Sequence, residues 1–220
     1  MRAPKIPEAT ITRLSVYSRY LMKMKRQGKI TTSSPDIAQG AGVNPAQVRK
    51  DLSFFGEFGT RGVGYNVEQL NWDVLKILSL DEEWSVALVG FGHLGHAVAM
   101  HRVFKERGFN FTSIFDRDPE KIGTKVKDIE ILPMEQLEKV VAQNHTRIGI
   151  ITTPADSAQA IADSLVRAGV QAILNFAPVH LSVPETIELR EVDLAVNLEV
   201  LTFHMEMQRQ GFASSRPANF

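Results

Sequence analysis

Val86-Ala87-Leu88-Val89-Gly90-Phe91-Gly92-His93-Leu94-Gly95 decides how the second half of this chain folds. Four apolar residues in a row read as a short buried strand, and Leu94 to Arg107 reads as a helix, which leaves the glycines in the turn between them. In that context a G-x-G-x-x-G spacing has a physical sense. Gly90 makes the tight turn, Gly92 lets a pyrophosphate approach the backbone, and Gly95 lets the helix pack closely on the strand. The loop from Gly90 to Gly95, with Phe91, His93 and Leu94 included, is therefore the expected dinucleotide contact, with phosphate on the helix N-terminus.

Working outward, strand and helix alternate. Phe111 to Phe115, Ile148 to Ile151 and Ala172 to Phe176 read as strands; Met134 to Gln143 and Ala155 to Ala168 read as helices. This rhythm predicts an α/β fold with a parallel sheet of Rossmann type. Asp116 ends the second strand, 21 residues after Gly95, where a carboxylate accepts from ribose hydroxyls and repels a 2′-phosphate, so NAD(H) is favoured over NADP(H). Arg117 next to it offers a cation to a phosphate, and Asp118 offsets that charge. Thr152-Thr153-Pro154 and Asn175-Phe176-Ala177-Pro178 follow later strands and should face the same crevice. Toward the C-terminus, Val192 to Val200 alternates at period two, while Leu194, Leu198, Leu201 and Met205 also fit a helix; we read a short strand to Val196 and a helix capped by Asn197.

The first block is helical. Pro7 to Gln27 carries Leu14, Tyr17, Leu21 and Met24 on one face. A short helix follows, capped by Ser34, with Pro35 and Asp36 in its first turn and an end at Gly40. Asn44 and Pro45 open a third, with Gln47 placed as in a capping box; Val48, Leu52 and Phe55 share one face and Ala46, Gln47, Arg49 and Lys50 the other. Gly56 to Tyr65 holds four glycines and Arg61, which reads as a hairpin, and Val67 to Leu80 as a helix. Helix, glycine turn, capped basic helix and glycine-rich hairpin follow the order of a winged helix-turn-helix. Gln47, Arg49 and Lys50 are assigned to a major groove, where Gln and Arg can hydrogen-bond base edges and Lys and Ser, Ser53 included, can take phosphates; Arg61 is assigned to a minor groove. Asp51 reads as an ion-pair partner rather than a base reader.

Composition bounds these readings. The charges balance at 25 Lys/Arg and 25 Asp/Glu, yet residues 1–80 carry 12 basic against 6 acidic side chains and residues 81–220 carry 13 against 19. A basic first part beside an acidic second part fits a polyanion partner for the first alone. With no cysteine, disulfides, thiolate metal sites and cysteine nucleophiles are excluded, and the histidines at 93, 96, 101, 145, 180 and 204 lack metal-ligand spacing, so no metal is expected. No apolar run is long enough for a membrane span, and a cytoplasmic protein is expected. Two rivals share the sheet: an NAD-dependent oxidoreductase, for which the 45 residues after Asn175 leave too little chain for a catalytic domain, and a coenzyme A or other nucleotide-binding module.

Gln47-Val48-Arg49-Lys50-Asp51-Leu52-Ser53-Phe54-Phe55-Gly56-Glu57-Phe58-Gly59, then Arg61-Gly62-Val63-Gly64-Tyr65, and Asn175-Phe176-Ala177-Pro178 resemble motifs of the Rex family of redox-sensing transcriptional repressors. The resemblance implies a winged-helix DNA-binding domain over residues 1–80, a Rossmann NAD(H)-binding domain over 81–196, and a C-terminal helix and tail over 197–220. It implies a homodimer exchanging that helix, with Asn197 to Arg209 as the swapped segment, and no catalysis. It also implies binding to double-stranded operator DNA, release by NADH, and competition by NAD+. A switch in which Arg13 pairs with Asp193 follows from it, as does a place for His101 near the nicotinamide, where many members carry tyrosine.

Overall fold

The computed structural model describes residues 6–60 and 62–211; Arg61 lies outside them. The chain forms two compact units, the first closing at Glu82 and the second opening at Glu83.

In the first unit, α1 (Glu8–Arg26) buries the expected Leu14, Tyr17, Leu21 and Met24. Facing them are Ile37, Ala38 and Ala41 of α2 (Ser34–Ala41), Val48 and Leu52 of α3 (Pro45–Ser53), and Val67, Leu70 and Val74 of α4 (Val67–Ile77). Each large side chain so buried contributes roughly 1.5–3 kcal/mol. The cap of α2 is Ser33, one residue earlier than expected, in a reciprocal box with Asp36. That helix also runs through Gly40 and stops at Gly42, whose φ of 68° is the left-handed turn glycine allows. Gly40 serves packing instead: a Cβ there would collide with the Tyr20 ring. The expected hairpin is reduced to a bridge between Thr60 and Gly64, while β1 (Thr31–Thr32) pairs with β2 (Tyr65–Asn66) at its base.

The second unit is one sheet with helices on both faces. Its strands are β3 (Trp84–Val89), β4 (Phe109–Asp116), β5 (Lys125–Val126), β6 (Ile129–Pro133), β7 (Ile148–Ile151), β8 (Ala172–Asn175) and β9 (Glu188–Glu191). They lie in the order β5-β6-β4-β3-β7-β8-β9, parallel except for the β5–β6 hairpin. Omitting β5, this is the doubly wound order of a dinucleotide-binding sheet, and it reverses direction between β3 and β7. Both faces of β3 are covered, which is why it reads as an unbroken apolar run. Val86 and Leu88 pack with Val98 and Ala99 of α5 (His93–Met100). Ala87 and Val89 pack with Leu137 and Val141 of α7 (Leu137–Gln143) and with Ala158, Ala162 and Leu165 of α8 (Ala155–Arg167).

Two expectations are corrected here, and further strands are added. The helix after the glycine loop breaks at His101, whose extended backbone (ψ 114°) ends α5; its Nδ1 accepts from the Val103 N–H and so starts α6 (Arg102–Glu106). No strand occupies 192–196. Instead Asp193 accepts from the Ala195 and Val196 N–H groups, and α9 (Leu194–Arg209) begins there rather than at Asn197. A carboxylate at the positive end of a helix decides a segment whose periodicity was ambiguous. The β5–β6 hairpin and β9 lie in stretches to which the sequence pattern assigns no element. Among the described residues no helix is long and apolar enough to cross a membrane, and no group of three His, Asp or Glu is placed to hold a metal.

Candidate functional site

The topological reversal opens a cleft of about 740 Å³ beyond the carboxyl ends of β3, β4 and β7. Gly90, with φ of 93°, turns the chain at the end of β3 and lies against Thr152 and Thr153; a Cβ there would sit 2.7 Å from Thr153 Cγ2 and 2.9 Å from the Thr152 oxygen. A Cβ on Gly95 would collide with the Gly90 carbonyl oxygen, so this glycine sets the approach of α5 to the sheet. Gly92 is different. It is exposed and has open space around it, at the start of a helix with no side-chain cap. Pro154 opens α8 on the same cleft, also without a side-chain cap. Two positive helix ends thus flank a space bordered by glycine, an arrangement suited to phosphate.

Asp116 closes the far side. Its carboxylate accepts from the N–H groups of Phe91 (2.6 Å) and Asp118 (2.9 Å), and Lys121 Nζ lies 3.4 Å away. Burial pushes its pKa up, but the Asp118 and Phe91 hydrogen bonds and the Lys121 charge outweigh that and hold it below the ordinary carboxylate value. Asp116 is therefore an anion with accepting capacity left on Oδ1. The Thr152 hydroxyl donates to the Gly90 carbonyl at 2.7 Å, tying β7 to the glycine turn, and Thr153 Oγ1 is buried there without a partner in the protein.

Of the expected cofactor residues, the cleft walls bring together Gly90, Gly92, Asp116, Arg117, Thr152, Thr153 and Pro154. Phe91 contributes its backbone to Asp116 while its ring packs edge-on to His96; His93 and Leu94 are exposed in the first turn of α5. Asn175 is a correction. It is fully buried, and its amide donates to the carbonyls of Ala177 and Val179 and accepts from the Ala177 N–H, so it shapes the Phe176-Ala177-Pro178 turn rather than offering a contact. Ala177 is itself buried, Phe176 packs on the sheet and Pro178 is exposed. His101 does not line the cleft either. It borders a separate 230 Å³ hollow beside Lys105 and Phe109. Lys121 and Ser157 line the cleft and were not expected.

On α3, Arg49, Lys50 and Ser53 are exposed, and the Ser53 hydroxyl donates to the Lys50 carbonyl. Asn44 caps the helix through the Gln47 N–H. Beneath the helix lies Asp51, wholly buried. It accepts from Arg13 Nε and Nη2 (both 2.6 Å), Tyr17 (2.7 Å), Thr10 (3.0 Å) and Gln47 Nε2 (2.9 Å). Asp51 is thus an ion-pair partner as expected, but in the interior. Arg13 presents its guanidinium as a fork to Asp51 on the neighbouring helix, and Asp193 caps α9 through Oδ1.

Residues 5–53 match the family described as "Putative DNA-binding protein N-terminus", and residues 81–179 match the "CoA binding domain" family. A curated relative from Desulfitobacterium hafniense, named redox-sensing transcriptional repressor Rex, is 63% identical over 95% of this chain and its own full length. A second of that name, from Desulforamulus reducens, is 54% identical over 96% of this chain and its full length. Among solved structures, RSP in complex with β-NAD+ and operator DNA superposes with a TM-score of 0.88 at 39% identity, covering 93% of this chain and 94% of that one. RSP in complex with β-NADH gives 0.84 at 37% identity, covering 94% and 97%. A winged-helix unit followed by a doubly wound nucleotide-type sheet defines a class of transcription regulators that carry their own ligand domain. Within that class the chain belongs to the Rex family of redox-sensing transcriptional repressors, and it is a regulator rather than an enzyme.

Proposed function

We propose that this protein binds double-stranded operator DNA through α3 and the Thr60–Gly64 turn, and that NADH taken up by the cleft at Gly92 and Asp116 releases it, with NAD+ competing. What supports the reading most is the cleft. Its open glycine, two uncapped helix ends, ionised Asp116 and unpaired Thr153 hydroxyl match the phosphates, ribose and polar edges of a dinucleotide. A ribose-binding carboxylate favours NAD(H) over coenzyme A, although the sheet also matches the coenzyme A family. The nicotinamide supplies the redox information, being cationic when oxidised and neutral when reduced. An apolar surround disfavours the unpaired cation.

We extend the reading to a cytoplasmic homodimer joined through α9. No residue of that helix is buried, and Leu198, Phe203 and Met205 are 64%, 60% and 70% exposed, an apolar surface that an exchanged helix would cover. A dimer presents two copies of α3 to half-sites about one DNA turn apart or a multiple of it. NADH can shift such an equilibrium only by binding the DNA-free arrangement more tightly.

Two substitutions test the two sites separately. Asp116→Ala is expected to weaken NADH and NAD+ alike, by about tenfold in calorimetric titration, since a charged hydrogen-bond acceptor is worth roughly 1.5–3 kcal/mol; unchanged isotherms would take Asp116 out of the site. Arg49→Ala is expected to lower affinity for operator more than for random duplex, by a margin of about 1–3 kcal/mol at fixed salt. An equal loss on both would make Arg49 a phosphate contact.

A further inference from the structure

Gln47 lies in the first turn of α3, where a recognition helix presents its base-reading side chains. Its Nε2 donates to Asp51 Oδ1, one turn further on. Gln69–Asp73 and Gln159–Asp163 repeat this spacing at the surface, where the carboxylate can turn away, and the Gln159 amide is fixed instead by the Ser182 backbone. Asp51 cannot. It is held from the opposite side by Thr10, Arg13 and Tyr17.

This asymmetry fixes an amide that is otherwise free to turn over. Burial pushes the Asp51 carboxyl up, yet the hydrogen bonds from Arg13, Tyr17, Gln47 and Thr10 hold it below its ordinary value, so it is ionised and can only accept. Reversing the Gln47 amide would set Oε1 against Oδ1 with no hydrogen between them. Nε2 therefore faces inward and Oε1 faces away from the carboxylate. A glutamine on a helix surface can present either end to a base. Gln47 presents Oε1 as an acceptor, with the second Nε2 hydrogen beside it.

We infer that Asp51, without touching DNA, is a specificity-positioning residue: by keying the Gln47 amide it makes Gln47 recognise an exocyclic amino group on a base edge in the major groove. Adenine N6 and cytosine N4 carry that group. The inference rests on the reading of α3 as the recognition helix.

The test uses the full-length protein and duplexes enriched from a random library at constant salt. The wild type should enrich a two-fold-symmetric motif, and Gln47→Ala should lose preference at one base pair of each half-site. At that pair, a base analogue lacking the exocyclic amino group should weaken wild-type binding about tenfold, while the same replacement outside the motif has no effect. Asp51→Asn, whose amide can donate as well as accept, should lose preference at the same pair and keep the remainder of the motif. Loss spread evenly over all positions and over random duplex would mean that Asp51 only supports the fold. Full binding to the amino-deleted duplex by the wild type would overturn the assignment with no variant required to fold. A wild type that enriches no motif, or a motif unmoved in Gln47→Ala, would instead overturn the reading of α3.

Discussion

Asp51→Ala is expected to lower the stability of the N-terminal unit by about 3–5 kcal/mol, the cost of leaving one partner of a buried ion pair uncompensated. The carboxylate accepts five hydrogen bonds, and its removal takes the buried counter-charge from the Arg13 guanidinium, 13% exposed, and the acceptor from the buried Tyr17 hydroxyl. A typical domain has only about 5–15 kcal/mol in total. Urea unfolding read by hydrogen exchange in α1 and α3 measures the loss, and a change below about 1 kcal/mol would mean that the Asp51 cluster holds nothing together. The pH dependence has a definite sign. The folded pKa of Asp51 lies below its ordinary 3.8, so its contribution is complete above that value and is lost as pH falls through the lower folded pKa. The wild type should therefore lose stability in the first unit below pH 3.8, and Asp51→Ala should lack this component.

The second large effect separates glycines that look alike in sequence. Gly90→Ala places a side chain at φ 93°, which costs about 1–2 kcal/mol, and drives its Cβ against Thr152 and Thr153, adding about 1–3 kcal/mol of overpacking. Gly92→Ala meets nothing within 4 Å at φ −78°, and only the roughly 0.5–1 kcal/mol by which alanine is a poorer helix cap than glycine is expected. Thermal unfolding should thus report Gly90→Ala as severely destabilised and Gly92→Ala as close to wild type. Calorimetry should report dinucleotide affinity lost in Gly92→Ala although its fold is intact. Equal stability of the two variants would contradict the packing described at the end of β3.

How much of this was legible in advance follows from which physical signals are local. Val86 to Gly95 could be read because a strand buried on both faces is uniformly apolar and the turn after it requires glycine. Asp116 could be read because the sheet fixes its distance from Gly95. The break at His101 was hidden, since it depends on a side-chain nitrogen capping the next turn, and helical periodicity runs across it. β9 was hidden because Glu188–Glu191 is mostly exposed, with little apolar patterning to mark an edge strand. Asn175 shows how far residue type reaches: a buried amide can bind a ligand or its own loop, and the three loop contacts are tertiary. The helix pattern marks Asp51 as an ion-pair partner. Its burial at the meeting of α1 and α3 is tertiary, and the consequence for Gln47 appears only with the five donors in place.

In the proposed switch the dinucleotide cleft and the DNA-reading helix are energetically coupled. By linkage, NADH and operator each weaken the other's binding by one common factor. Fluorescence anisotropy of an enriched duplex, titrated with the full-length wild type at constant salt with saturating NADH, with NAD+ and with neither, measures that factor directly. NADH is expected to weaken operator binding by about 5–150-fold, the range of typical coupling free energies, and NAD+ to do so far less and to restore binding when added in competition. Operator affinity that is the same with and without NADH would contradict it.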